Sequence, residues 1–151
     1  MSLNPHIAVF PGSFDPFTIG HADIVRRVLP LFDKIIIGFG INAKKTPMFN
    51  LDWRTDRVKK YFLNEPKIEV QAFSSLTIDF AIEHNAKYLI KGIRNTSDAD
   101  YELMQANANR AFSDNGIETL LVPSAPDLNH ISSSLVRDLY GHNKDIQNLI
   151  V

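Results

Sequence analysis

The chain has 151 residues, 44% of them hydrophobic, no cysteine and a formal net charge of −1. That is enough chain for one core, read as a single domain over 1–151, and it excludes disulfide staples, thiolate metal sites and any global pull on nucleic acid or acidic lipid. The composition suits a reducing cytoplasm. No apolar run reaches the roughly 20 residues that span a bilayer, and the first residues lack the pattern of a signal peptide. Neither a membrane nor a nucleic acid is therefore an expected partner, and an anionic ligand must be held by a local cluster of basic groups. Met1 to Leu3 are expected to be an expression remnant.

In chain order, short apolar runs read as strands: HIAVF, KIIIGFG, KIEVQAF, KYLIKGI and ETLLVP. Between them, Ile24, Val28 and Leu31 recur at helical spacing, as do Leu51, Thr55, Val58 and Phe62 behind an Asn50 N-cap, and Tyr101, Met104, Ala108 and Phe112. LTIDFAIEHN and SSSLVRDLYG read as shorter helices with Asn85 and Gly141 as C-caps. Strands apolar on both faces and separated by helices predict an α/β fold, a Rossmann-like parallel five-stranded sheet with helices on both faces.

Ligands of such sheets bind beyond the carboxyl ends of the strands, in the strand-to-helix loops. The first loop, PGSFDPFTIGH, places Gly12 where the backbone turns, Gly20 where amides approach a ligand, and His21 in the first helical turn, where an anion is favoured. It is neither the G-x-G-x-x-G fingerprint nor a Walker A loop. Asp15 reads as a turn-stabilising side chain rather than a metal ligand. KGIR sets Lys91 and Arg94 around Gly92, KKTP carries Lys44 and Lys45, and ISSS offers Ser132, Ser133 and Ser134 where a helix cap needs one. Taken singly, each basic pair also reads as solvated charge. Four phosphate-compatible loops at one end of one sheet point to a polyphosphate.

The ordered set PGSFDPFTIGH, KKTPMF, KGIR, DADYE and ISSSLVR resembles the bacterial phosphopantetheine adenylyltransferases, of the nucleotidyltransferase superfamily that carries T-x-G-H. The resemblance covers nearly the whole chain. It implies adenylyl transfer from ATP to 4'-phosphopantetheine, with His21 against the α-phosphate in the transition state. It further implies Ser13 and Phe14 at nucleotide and acceptor, Lys45 and Lys91 at the acceptor phosphate, and Thr77 along the pantetheine arm. Gly92, Ile93, Arg94 and Glu102 match ATP-contacting positions, and Leu128, Asn129, His130, Ile131, Ser132, Ser133 and Ser134 match the adenine and phosphate loop. Magnesium would be held by phosphates and water with no protein ligand, and the family commonly forms homohexamers. Lys91 stands where the family usually has arginine, Ile19 where asparagine is usual in T-N-G-H, and Ala43 where proline is common. The competing readings are a nicotinate mononucleotide adenylyltransferase or cytidylyltransferase, and a non-catalytic nucleotide-binding module.

Overall fold

The computed structural model describes residues 5–151, so Met1 to Leu3 lie outside the described residues. Strands and helices alternate as β1 (Ile7–Gly12), α1 (Ile19–Val28), β2 (Lys34–Gly40), α2 (Leu51–Tyr61), β3 (Ile68–Phe73) and α3 (Thr77–Glu83), followed by β4 (Tyr88–Ile93), α4 (Thr96–Phe112), β5 (Glu118–Pro123) and α5 (Ser133–Gly141). Each helix carries the chain back across the sheet, so neighbouring strands pair in parallel, in the order β3-β2-β1-β4-β5.

Alternation along the strands divides the core between two faces. Ala8, Phe10, Ile35, Ile37, Phe39 and Ile90 pack under α1 and α2, against Ile24, Val25, Val28, Val58 and Phe62. Ile7, Val9, Ile36 and Leu89 pack on the other face, against Ile78, Phe80 and Ala81 of α3. Asn50 caps α2 by accepting from the Trp53 amide at 2.8 Å, and Asn85 takes the left-handed conformation (φ 57°) that ends α3.

Several expectations are corrected. The first strand runs on through Pro11 to Gly12, and α1 stops at Val28, leaving Leu31 in a 3-10 turn, exposed rather than in the core. The edge strands are not buried on both faces: β3 has no fully buried residue and β5 only Val122. The Tyr101, Met104 and Phe112 stripe of α4 faces outward, each more than half exposed. Gly141 lies within α5, and the left-handed position after that helix is Asn143 (φ 59°).

The sheet reverses its direction of growth between β1 and β4, which is where a crevice forms in a doubly wound fold. Their pairing covers only Ala8 with Tyr88 and Val9 with Leu89, while β1 stays paired to β2 as far as Gly12. Pro11, with no N–H to contribute, lies where β1 and β4 have parted. Gly92 borders this opening, and a Cβ there would stand 2.5 Å from Ile24 Cδ1. The atom met is the end of the Ile24 side chain, so α1 packs closely over this glycine. Because that side chain can turn, Gly92→Ala is expected to cost about 0.5–1.5 kcal/mol, the scale of one displaced side-chain torsion, and Ile24→Val, which deletes that atom, to recover part of that loss in the double variant. Urea unfolding of the four proteins measures both effects, and an additive double variant would contradict the packing explanation.

Candidate active site

The β1–α1 loop is held by its carbonyls. Ser13 O accepts from Arg54 Nη1 at 2.6 Å, Asp15 O from Arg137 Nη1 at 2.8 Å, and Pro16 O from Ser133 Oγ at 2.8 Å. Within that frame Phe14 adopts φ 46°, a left-handed conformation that a bulky residue takes only when its surroundings impose it. The Phe14 ring lies so close to Gly12 that a Cβ there would stand 2.8 Å from it. Glycine at position 12 therefore makes room for an aromatic ring, while the unusual backbone angle belongs to Phe14. Asp15 is 7% exposed and braces a neighbouring loop instead of its own turn, accepting from the amides of Met48 (2.8 Å) and Phe49 (2.9 Å).

At the start of α1, Thr18 and His21 form a reciprocal cap: the His21 amide donates to Thr18 Oγ1 at 3.2 Å, and the Thr18 amide donates to His21 Nδ1 at 2.9 Å. A backbone amide can only donate, so Nδ1 is the unprotonated nitrogen and the neutral ring carries its proton on Nε2. Phe10, Phe14 and Phe17 surround the ring, with centroids 6.1, 5.0 and 5.1 Å away. This apolar setting, reinforced by the positive charges of Arg94 and Lys91, lowers the His21 pKa to about 4. The side chain is therefore a neutral donor at physiological pH.

His21 lines a cavity of roughly 360 Å³ in the β1–β4 crevice together with Ser13, Phe14, Lys91, Gly92, Arg94, Glu102 and Ile131 to Ser134. Lys91 faces Glu102 at 3.6 Å, and Arg94 Nε donates to Asp98 at 3.1 Å. The three serines at the head of α5 have different partners. Ser132 Oγ caps the helix by accepting from the Leu135 amide, Ser134 Oγ accepts from Arg137, and Ser133 donates its proton to Pro16 O. Hydroxyls that only accept keep their own proton for a ligand, which leaves Ser132 and Ser134 as donors and Ser133 as a brace.

Thr77 lies apart from this cavity, in a groove of roughly 600 Å³ between α3 and α4 that Lys91 and Glu102 also line, so the two spaces meet at that ion pair. Lys45 lines a third space, shared with Ser13, Asp15 and Arg137. Ile93 and Asn129 border a small recess beside Arg94, whereas Leu128 and His130 line none of these spaces. Sequence reasoning missed Arg137, Asp98 and Arg54. Arg137 closes the quoted ISSSLVR stretch, and its position after three serines was the available signal.

A family model described as cytidylyltransferase-like matches residues 9–139. The phosphopantetheine adenylyltransferase of Bacteroides fragilis is 44% identical over 143 residues, covering 95% of this chain and 94% of its own. That of Cytophaga hutchinsonii is 45% identical over 144 residues, covering 95% of each. The chain belongs to the phosphopantetheine adenylyltransferase family. A bifunctional NMN adenylyltransferase/ADP ribose pyrophosphatase from Francisella tularensis has the same fold, with a TM-score of 0.70 at 14% identity. The match covers 97% of this chain and 45% of that one.

The depressed pKa of His21 gives this family member a specific acid sensitivity. The folded state favours the neutral ring, whereas the unfolded chain takes up a proton near 6.5, so the stability contributed by the cap is present above pH 6.5 and is lost as pH falls toward 4. His21→Asn keeps an acceptor near the Thr18 amide and cannot be protonated there. Its melting temperature is expected to fall less steeply than the wild type's between pH 6.5 and pH 4. Parallel curves in thermal scans would contradict the assigned burial.

Proposed function

We propose that the protein transfers the adenylyl group of ATP to 4'-phosphopantetheine, giving dephospho-coenzyme A and pyrophosphate. The supporting observation is the convergence of His21, Lys91, Arg94 and the α5 serines on one cavity at the sheet's switch point, in a chain of this family. An oxygen of the acceptor phosphate forms a bond to the α-phosphorus, the bond to the bridging oxygen breaks, and pyrophosphate leaves with the electron pair. No covalent intermediate is needed, and the chain contributes position and charge stabilisation.

The neutral His21 donates from Nε2 to an α-phosphate oxygen as charge builds there. The attacking phosphate is already anionic, so no side chain need remove a proton. Arg94, Ser132 and Ser134 hold the triphosphate, with Phe14, Gly92, Ile93, Glu102, Asn129 and Ile131 around the nucleotide. Lys45, Lys91 and Ser13 receive the acceptor phosphate, and Thr77 lines the groove for its arm. Leu128 and His130 line none of the spaces described and are assigned no contact with either substrate.

Among the described residues no group of three or more His, Cys, Asp or Glu is placed to hold a metal. The carboxylates at the cavity are engaged: Asp98 with Arg94, Glu102 with Lys91, and Asp15 with two amides. This donor set fits a magnesium ion carried by the ATP phosphates and water, where it would neutralise the departing pyrophosphate. A solved Francisella tularensis neighbour is complexed with AMP and a manganese ion. We place the enzyme in the cytoplasm, which its cysteine-free composition suits, and as a homo-oligomer, a hexamer by family resemblance. The face of α4 on which Tyr101, Leu103, Met104 and Phe112 are each more than half exposed supports association without fixing the number of copies. Among the described residues no helix is long and apolar enough to cross a membrane.

Incubation with ATP, magnesium and one acceptor at a time tests this reading. Pyrophosphate is expected with 4'-phosphopantetheine and far less with nicotinate mononucleotide, and His21→Ala is expected to lower kcat by about 10²–10³ while ATP still binds. Release with nicotinate mononucleotide alone would replace the proposed acceptor, and unchanged turnover in His21→Ala would remove that residue from the reaction.

A further inference from the structure

The loop between β2 and α2 carries Lys45 on an exposed stretch, residues 42–47, that is secured at its two ends. At one end the Ile41 amide donates to Phe73 O at 2.7 Å. At the other end everything converges on the β1–α1 loop. Asp15 accepts from the Met48 and Phe49 amides, and Arg54 spans the two loops, donating from Nε to Phe49 O at 2.8 Å and from Nη1 to Ser13 O at 2.6 Å. Asp15 and Arg54 are 7% and 6% exposed, so these bonds are shielded from competing water. Burial works against the Arg54 charge and the nearby Asp15 carboxylate works for it. The Arg54 guanidinium also lies over the Phe39 ring, 5.8 Å from its centroid, so it is packed as well as hydrogen-bonded where the two loops join.

We infer that Asp15 and Arg54 are positioning residues: together they form a rigid bridge that fixes the Lys45 loop relative to the Ser13–Phe14 loop, and so sets how far the acceptor phosphate sits from the nucleotide. The inference rests on the proposed acceptor chemistry. Lys45 lies three residues before Met48 in the sequence, and Ser13 lines both the nucleotide cavity and the space bordered by Lys45. A displacement at the bridge is therefore delivered to the gap across which the bond forms. Misplacement of about 1 Å between reacting groups can cost on the order of 10² in rate. Of the groups assigned to the triphosphate, Arg94 is anchored on Asp98 and Ser132 on the Leu135 amide, away from the bridge, while Ser134 is tied to it only through Arg137 and the Asp15 main-chain carbonyl, which neither side-chain substitution below removes.

Two variants cut the bridge with little change of shape. Arg54→Lys keeps the charge but cannot reach both carbonyls as a fork, and Asp15→Asn turns one of two acceptor atoms into a donor facing an amide. With ATP, magnesium and 4'-phosphopantetheine, each is expected to lower kcat by about 10–100-fold and to leave the KM for ATP within about twofold. The double variant is expected to fall no further than the worse single one, because both substitutions sever the same link. Hydrogen exchange of the acceptor-free protein supplies a readout independent of the acceptor: Met48 and Phe49 amides should exchange faster in both variants, with α1 and α5 unchanged. Wild-type kcat in both variants, unchanged Met48 and Phe49 exchange, or an equal loss of kcat and ATP affinity would each overturn the inference. If Arg54→Lys fails to fold, Asp15→Asn carries the decision alone. A wild type that does not turn over 4'-phosphopantetheine would refute the acceptor reading instead, and the exchange result would still judge the bridge.

Discussion

The bond from the Thr18 amide to His21 Nδ1 ties fold to chemistry in this protein. It terminates the β1–α1 loop, starts α1 and fixes which ring nitrogen holds the proton. The other early amides of the helix are also engaged: Ile19 donates to Leu149 O, His21 to Thr18 Oγ1 and Ala22 to Thr18 O. Gly20 stands among them, and a Cβ there would meet no protein atom nearer than 3.4 Å. Unlike Gly12 and Gly92, Gly20 makes no room for a neighbouring side chain, which fits an open approach to the helix N-terminus, where anions are favoured. The segment ending at Val151 supports this turn from outside, through Leu149 O and a bridge between Thr18 and Ile150.

The sheet order supplies the second constraint. Because β1 and β4 part after two paired positions, His21 and Phe14 from one loop meet Lys91 and Arg94 from the other across an open crevice. Positive charge near a histidine would be unfavourable if the ring had to be cationic. Here those charges help to keep it neutral, the form a hydrogen-bond donor to phosphate can use.

Much of this was legible in the sequence because it is local. Strand runs, the Asn50 cap and the left-handed Asn85 depend on neighbours in the chain, and the loops that hold His21, Lys91, Arg94 and Ser132 to Ser134 follow the rule that parallel strands present their carboxyl ends to ligands. What the sequence hid is long-range. Arg54 reaches Ser13 across 41 positions and Arg137 reaches Asp15 across 122, and neither contact leaves a periodic trace. Helical spacing likewise marked Tyr101, Met104 and Phe112 as one face of α4 without saying whether that face is buried, and in the structure it is exposed. Ile24 against Gly92 is the same kind of fact: only the packing of α1 shows what lies over that glycine.

The central claim is a neutral His21 that accepts at Nδ1 and donates at Nε2. Nitrogen NMR of the protein labelled at histidine measures it directly, since protonated and unprotonated ring nitrogens resonate far apart. For His21, Nδ1 is expected to show the unprotonated shift and Nε2 the protonated one throughout pH 5.5 to 8, with titration only on approach to pH 4. A ring protonated at Nδ1, or one that becomes an imidazolium near pH 6.5, would contradict it.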